Sequence, residues 1–129
     1  MSIELTILIW SAALAMAYVL VQSTAYRLDY GILHAGGQRD NERAPNKWAA
    51  RGERALRNFL ETYGVFIALA VATELSGRSD AFTQWGVQIW FWARLGYLPS
   101  YFIDIPLMRS AFWLISLVGL VLLFIGVAF

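Results

Sequence analysis

The chain has 129 residues, of which 59% are hydrophobic, and its mean hydropathy of +0.54 exceeds what a small soluble core requires. Its formal net charge of +1 provides no basic surface for a phosphate backbone, which excludes nucleic acid as an expected partner. Cysteine is absent, so disulfides, thiolate metal sites and a cysteine nucleophile are excluded as well. The composition therefore predicts a membrane protein.

Four apolar stretches are long enough to cross a bilayer, which requires about 20 residues of helix. They predict helices at about residues 3–26, 55–73, 82–102 and 106–129. The first stretch follows no basic residue and has no clear cleavage site, so a retained helix is expected rather than a signal peptide. The stretches lack the alternation of a barrel, which favours an all-α fold. We expect one four-helix transmembrane domain over residues 1–129.

A long hydrophilic loop is predicted between the first two helices, over residues 27–54, where glycines, a proline and many charges occur. Seven of the ten basic residues lie in this loop or just inside helix two: Arg27, Arg39, Arg43, Lys47, Arg51, Arg54 and Arg57. The loop before helix three contains a single basic residue, Arg78. The positive-inside rule therefore predicts that residues 27–54 are cytoplasmic and that both termini face the opposite side.

Polar side chains occur at membrane depth in two of the predicted helices, where ionisable groups are costly unless they are paired or hydrated. In helix two, Arg54, Asn58 and Glu61 follow a spacing that places them on one face, with Arg57 on or beside it. In helix three, the same spacing relates three further residues: Arg94, Tyr97 and Tyr101. These polar stripes predict functional or interhelical contacts.

Arg109 and Ser110 begin the fourth predicted helix at the same membrane depth as the two polar stripes. The predicted topology thus brings three clusters that are separate in sequence to the cytoplasmic side of the bundle. This convergence predicts a buried polar pocket. In the alternative interpretation, these groups only hold helices together, for example through pairing of Glu61 with Arg54 or Arg94.

Other conspicuous residues are given simpler interpretations. Arg27 and the remaining loop arginines are expected to snorkel or to attract anionic lipid headgroups. His34 has no acidic or cysteine partner at metal-ligand spacing, and no metal site is predicted. Four tryptophans in or near helices three and four are interpreted as interfacial aromatics: Trp85, Trp90, Trp92 and Trp113.

Two motifs carry a family resemblance. The string RALRNFLET, which begins at Arg54, resembles the signature of the MAPEG family, the membrane-associated proteins in eicosanoid and glutathione metabolism. The string ARLGYLPSY, with Arg109 and Ser110 after it, is similar to the third and fourth helices of the family's leukotriene and prostaglandin E synthases. Tyr97 stands where the prostaglandin synthase has a histidine and matches the leukotriene synthase. The resemblance covers nearly the whole chain.

The resemblance implies a homotrimer of four-helix protomers, for a bacterial-type member in the inner membrane. It also implies that glutathione binds between adjacent subunits and that a lipophilic substrate enters from the bilayer. Arg109 is implied to face the thiol, which makes it the catalytic candidate. Residues predicted to contact glutathione are Arg27, Arg54, Arg57, Asn58, Glu61, Arg94, Tyr97, Tyr101 and Ser110.

The leading hypothesis is a glutathione-dependent transferase or peroxidase that acts on a lipophilic electrophile dissolved in the membrane. Glutathione has two carboxylates and one amine, which guanidinium and carboxylate groups complement, and a cation beside its thiol favours the thiolate. Two alternatives are a non-catalytic lipid-binding or scaffold trimer and an accessory subunit of a larger membrane complex. The full set of polar residues together with Arg109 favours an enzyme.

Overall fold

The computed structural model describes residues 1–40 and 42–129, and this part of the chain forms five helices. They are α1 (Ile3–Tyr30), α2 (Ile32–Gly36), α3 (Lys47–Ser76), α4 (Ala81–Ser100) and α5 (Met108–Ala128). The four long helices form a bundle, and α2 is a short helix after α1. The described residues contain no strand, so the predicted all-α class is confirmed.

The second long helix begins earlier than predicted, because the start of α3 at Lys47 is capped. The side chain of Asn46 accepts a hydrogen bond from the backbone N–H of Ala49 at 2.9 Å. Small residues then recur on the buried face of this first part of α3, which packs on α1, namely Ala49, Gly52 and Ala55. The predicted start near residue 55 was therefore wrong. The basic residues before it belong to the exposed face of an amphipathic helix whose opposite face has small residues.

The polar loop predicted over residues 27–54 is shorter for the same reason and also because α1 continues to Tyr30. Gly31 ends α1 with a φ of 92°, a conformation that glycine adopts at low cost, and its N–H donates to the carbonyl of Arg27. Helix α2 occupies part of the remaining segment. The described connection between α2 and α3 is thus limited to residues 37–40 and 42–46.

The last two helices also differ slightly from the predicted boundaries. Helix α4 ends at Ser100, and α5 begins at Met108, two residues after the predicted start at 106. Pro106 is followed by Leu107, whose φ of 66° lies in the left-handed region and interrupts the helix there. Residues 101–107 consequently form a turn, named the α4–α5 turn below.

Helices α4 and α5 make the most extensive contact in the bundle because glycines allow their backbones to approach closely. A Cβ added to Gly86 would lie 2.7 Å from the backbone N of Leu123, and one added to Gly119 would lie 2.6 Å from that of Trp90. Trp90 is fully buried, and its ring stacks on Phe66 with centroids 3.9 Å apart. Its predicted interfacial position was wrong, whereas Trp85 and Trp92 are exposed.

Three helices, α1, α3 and α5, are long and apolar enough to cross a membrane. Helix α4 has 20 residues, but polar side chains such as Gln84, Gln88 and Arg94 lower its hydropathy, and its predicted span stays a prediction. Both termini lie at the end of the bundle that contains the α3–α4 connection. There the buried carboxylate of Glu4 accepts hydrogen bonds from Ser79 and Thr83 at 2.7 and 2.6 Å.

Candidate functional site

A polar cavity of about 600 Å³ lies at the other end of the bundle, where the start of α3, the end of α4 and the start of α5 meet. Its wall includes residues from both predicted helix stripes and from the α4–α5 turn. The charged and hydroxylated residues lining it are Arg51, Arg54, Ser100, Tyr101, Asp104, Arg109 and Ser110. We call it the arginine cavity. Its volume lies within the usual range of small-molecule sites.

A smaller cavity of about 140 Å³ adjoins the same residues of α5. It is lined by Asn58, Tyr97, Arg109, Ser110 and Trp113. Arg109 and Ser110 therefore face both cavities. The predicted clusters of α3, α4 and α5 meet around these two side chains, although whether they bind a ligand stays a prediction.

Arg109 is linked to Tyr101 in the α4–α5 turn and to Tyr97 of α4 by a short chain of hydrogen bonds. Its Nη1 donates to the hydroxyl of Tyr101 at 3.4 Å, and the hydroxyl of Tyr97 donates to the same oxygen at 3.2 Å. The guanidinium carbon also lies 5.1 Å from the centroid of the Tyr101 ring. A guanidinium has five N–H donors, so these contacts orient Arg109 and leave donors available for a ligand.

Arg94 lies beneath this chain and is 1% exposed. Its Nη1 donates to Oδ1 of Asn58 at 2.8 Å, and its Nη2 donates to Oγ1 of Thr62 at 3.1 Å. The hydroxyl of Tyr18 donates to the Arg94 carbonyl at 2.7 Å, which connects α1 to the same group. Arg94 thus joins α3 and α4, and it fixes the orientation of the Asn58 amide. This contact matches the helix-fastening interpretation for Arg94.

The remaining members of the α3 stripe are more exposed. Arg54 lines the arginine cavity, Arg57 pairs with Glu53 at 2.6 Å, and Glu61 lines neither cavity. Four ion pairs between arginine or lysine and a carboxylate occur among residues 1–40 and 42–129, and Arg57 is the single member of the predicted set that they include. Within the described chain, Glu61 therefore does not neutralise Arg54 or Arg94.

Arg27 lies apart from these residues. It lines a separate cavity of about 210 Å³ with Arg39 near the end of α1. The ring of His34 stacks on the ring of Tyr30, and its Nε2 lies 3.7 Å from Oε2 of Glu42. Across the part of the chain that the structure describes, no group of three or more histidine, cysteine, aspartate or glutamate side chains could hold a metal ion.

Two charged residues of the arginine cavity, Arg51 and Asp104, were not predicted to belong to it. Arg51 donates to Asp104 at 2.7 Å, and this contact joins α3 to the α4–α5 turn. The hydrogen bond from Arg51 is the main reason why the pKa of Asp104 lies below its ordinary value, and the charge of Lys47 lowers it further. Arg51 lies one helical turn before Arg54, so an earlier predicted start of helix two would have found it. Thr62, which contacts Arg94, could also have been predicted, because its position four residues after Asn58 places both side chains on one face of the helix.

Comparison with known proteins agrees with this architecture. The model of a family described as the MAPEG family matches residues 7–129, which include all of the cavity residues. The chain belongs to the MAPEG family. The predicted membership of the MAPEG family is thereby confirmed, and MAPEG membership with membrane-length helices makes it an integral membrane protein. No curated protein and no solved structure gave a match.

MAPEG membership supports a glutathione-related membrane function at the level of the family, whose members generally use glutathione as substrate or cofactor. The arginine cavity is chemically suited to such a ligand. Three guanidinium groups line it, from Arg51, Arg54 and Arg109, against the single carboxylate of Asp104. Such an excess of positive charge favours an anion, and planar guanidinium groups bind carboxylates through two parallel hydrogen bonds.

Proposed function

We propose that the protein is a glutathione-dependent transferase or peroxidase that acts on a lipophilic electrophile dissolved in the membrane. The observation that carries the proposal is the arginine cavity, in which Arg54 and Arg109 face open space and neither has a carboxylate partner among the described residues. Guanidinium groups at the membrane are unfavourable unless they are paired or hydrated. An anionic ligand would pair with them and stabilise them. Glutathione supplies two carboxylates.

Arg109 is the proposed catalytic residue. It faces both cavities, and its hydrogen bond to Tyr101 fixes its position. A guanidinium beside the glutathione sulfur would stabilise the thiolate and lower the pKa of the thiol, which increases the nucleophilic fraction near neutral pH. Ser110, which lines the same two cavities, provides a hydroxyl that can donate a further hydrogen bond to the sulfur or to a neighbouring polar group.

In the transferase reaction, the thiolate sulfur attacks an electrophilic carbon and forms a C–S bond. The electron pair of the bond that breaks at that carbon departs with the leaving group or, when a ring opens, stays on the ring heteroatom, which then takes up a proton. In the peroxidase reaction, the thiolate attacks the distal oxygen of a hydroperoxide and becomes glutathione sulfenic acid. The O–O bond breaks, and the departing alkoxide takes up a proton to become an alcohol. A second glutathione then reduces the sulfenic acid, so that two glutathiones yield one disulfide and one water. Both reactions begin with the thiolate that Arg109 would stabilise.

We propose that the protein is a homotrimer. Arg54, Arg57 and Glu61 are exposed along α3, together with apolar neighbours such as Leu60 and Val65. Contact of these charged groups with lipid would be unfavourable, and an adjacent subunit could cover them. A neighbouring subunit would also explain why Arg27 lies apart from the arginine cavity of its own chain. In a trimer, Arg27 and Glu61 could reach glutathione across the subunit boundary.

We propose that the lipophilic substrate enters from the bilayer along an apolar groove. An apolar groove of about 410 Å³ runs along α4 and α5, with Trp85, Trp92 and Phe112 in its wall. A second groove of about 460 Å³ lies between α1 and the start of α3, near Trp48 and Phe102. Both are almost entirely apolar, which suits a lipid-like molecule.

A membrane orientation accompanies the proposal. The arginine cavity lies at the end of the bundle that carries most of the basic residues, which the positive-inside rule places in the cytoplasm. Glutathione is then taken from the cytoplasm, and both termini face the opposite side, in the inner membrane of a bacterium. Cysteine labelling of an otherwise cysteine-free chain, at Gln38→Cys and at Ser2→Cys, would report the side of each position.

Calorimetric titration of glutathione into the detergent-solubilised protein tests the proposal. We expect saturable binding that weakens at least tenfold in Arg54→Gln, because a charge-assisted hydrogen bond is lost. Arg78→Gln is the matched control, because Arg78 contacts the carbonyl of Val127 at the opposite end of the bundle. Conjugation of an apolar electrophile and reduction of a lipid hydroperoxide should follow in the same preparation. Absence of glutathione binding would contradict the proposal.

The apolar grooves also favour a second candidate, a non-catalytic lipid-binding or scaffold trimer, or an accessory subunit of a larger membrane complex. In that case, the polar residues would fasten helices, as Arg94 does with Asn58 and Thr62. This candidate predicts lipid binding without glutathione binding. It also predicts loss of the trimer in Glu61→Ala, which the enzyme proposal does not require.

A further inference from the structure

One guanidinium of the arginine cavity is held by an acid of the same chain. Nη2 of Arg51 donates to Oδ1 of Asp104 at 2.7 Å, whereas its Nη1 is buried and has no hydrogen-bond partner among the described residues. A buried, unpartnered guanidinium nitrogen is unfavourable, because the desolvation of a charged donor is not compensated. Both residues line the arginine cavity. The pair is therefore incomplete on the arginine side.

Asp104 is the more exposed partner of this pair. It lies in the α4–α5 turn, outside a helix, and its side chain is 66% exposed, compared with 20% for Arg51. It also accepts a hydrogen bond from Lys47 at 3.5 Å. Arg51 is fixed on α3, one turn before Arg54, so a ligand that reaches Arg54 can also reach Arg51. Rotation of Asp104 toward Lys47 and solvent would free Nη2 of Arg51 for a ligand in the cavity.

We propose that Arg51 is a further carboxylate-binding residue of this site and that Asp104 is an internal competitor, which a carboxylate of the ligand displaces from Arg51. This inference rests on the proposed function and specifies the ligand class as a molecule with at least two carboxylates. Arg51 and Arg54 bind carboxylates, and Arg109 remains for the thiol. A ligand with one carboxylate could pair with only one of these two arginines. Either Arg51 would stay paired with Asp104, or Arg54 would stay unpaired.

Asp104 has a second conceivable role as the partner of the ligand's ammonium group. Two cations already contact its carboxylate, Arg51 at 2.7 Å and Lys47 at 3.5 Å. An ammonium would be the third, whereas the buried Nη1 of Arg51 has no partner and calls for an acceptor. The charges at this point therefore favour an incoming carboxylate. The two roles predict opposite effects when the negative charge of Asp104 is removed.

The test is a double-mutant cycle on glutathione affinity, measured by calorimetry in detergent at one salt concentration. In Asp104→Asn, we expect glutathione to bind about two- to fivefold more tightly, because an exposed ion pair of this kind is weak. In Arg51→Gln, we expect binding to weaken about tenfold or more, since a charge-assisted hydrogen bond is lost. In the double variant, the gain from Asp104→Asn should disappear.

Each other outcome overturns the inference. Weaker binding in Asp104→Asn would assign Asp104 to the ammonium group. An equal gain with and without Arg51 would show that Asp104 acts only by long-range repulsion. A loosened α4–α5 turn cannot imitate the expected result, because both single variants break the same contact but should shift affinity in opposite directions. Glu74→Gln and Arg78→Gln, at the other end of the bundle, are the matched controls.

The proposed function and this inference can fail separately. If the unmodified protein does not bind glutathione at all, the proposed function fails and this inference fails with it. If it binds glutathione but the cycle shows no coupling between Arg51 and Asp104, only the inference fails.

Discussion

Arg109 donates a hydrogen bond to the hydroxyl of Tyr101 at 3.4 Å while it faces both the arginine cavity and the smaller cavity beside Asn58. The contact crosses from the start of α5 to the end of α4, over the turn that separates these helices. It fixes a cation at the point where the two cavities adjoin. A thiol bound there would experience that charge from a short distance.

Removal of the Tyr101 hydroxyl tests whether this hydrogen bond positions Arg109. In Tyr101→Phe, we expect kcat/KM for conjugation of an apolar electrophile to fall by about two- to tenfold, because one neutral hydrogen bond is lost and the ring remains. Tyr30→Phe is the control, because the Tyr30 hydroxyl contacts the Arg43 carbonyl and Tyr30 lines neither cavity. Unchanged kcat/KM in Tyr101→Phe would show that Arg109 holds its position without the tyrosine.

Arg94 is expected to contribute chiefly to stability. In Arg94→Ala, Asn58 and Thr62 lose their charged donor and a fully buried side chain becomes a void. We expect a loss of about 3 kcal/mol in the free energy of unfolding, measured by denaturation in detergent. The exposed Arg78→Ala should change it by less than about 0.5 kcal/mol. If Arg94→Ala proved as mild as Arg78→Ala, the proposed fastening of α3 to α4 would be wrong.

The close approach of α4 and α5 predicts a steric effect at Gly119. A methyl group there would meet the backbone of Trp90 at 2.6 Å, and the helix backbones must separate to admit it. We expect Gly119→Ala to lower the free energy of unfolding by about 1–3 kcal/mol. In Gly64→Ala, where nothing lies within 4 Å of the added atom, no such loss is expected within a single chain. Equal effects at both positions would contradict the packing described for α4 and α5.

The ion pair of Asp104 predicts a pH dependence of stability. Arg51 holds the pKa of Asp104 below its ordinary value of 3.8, so the folded protein binds this proton less readily than the unfolded chain. The stabilisation is therefore complete above the unfolded pKa and is lost as the pH falls through the lower, folded pKa. Thermal unfolding in detergent should show Asp104→Asn less stable than the parent at neutral pH. That difference should shrink below about pH 4, and a constant difference would refute the assignment.

The amino-acid sequence predicted the helical class, the polar stripes and the meeting of three clusters, because helical spacing and membrane topology constrain all of these. Arg54, Tyr101 and Arg109 line one cavity, although they are far apart in sequence. The start of α3 was not predicted, because the polar residues before Ala55 resemble a loop. The small residues on the opposite face, which indicate a helix, were overlooked. Arg51 was missed with it.

Other features depend on side-chain packing that spacing does not specify. Trp90 is buried because its ring stacks on Phe66. Its position in the sequence does not distinguish a buried tryptophan from an interfacial one. The same limit applies to Tyr18, whose hydroxyl contacts the Arg94 carbonyl from α1. Glu61 was grouped with the pocket by helical spacing and motif, and Arg27 only by its position at the end of helix one, but in the single chain neither lines the arginine cavity. Their contact with glutathione stays a prediction that depends on the proposed trimer.

The acidity of the bound thiol is the most direct test of the account. With the protein saturated by glutathione, ultraviolet absorbance of the thiolate is followed against pH for the parent and for Arg109→Ala. We expect a thiol pKa at least about one unit below the ordinary value of about 8.5 in the parent, and a return toward that value in Arg109→Ala. An ordinary thiol pKa in the parent, or the same lowered value in both proteins, would contradict the role of Arg109.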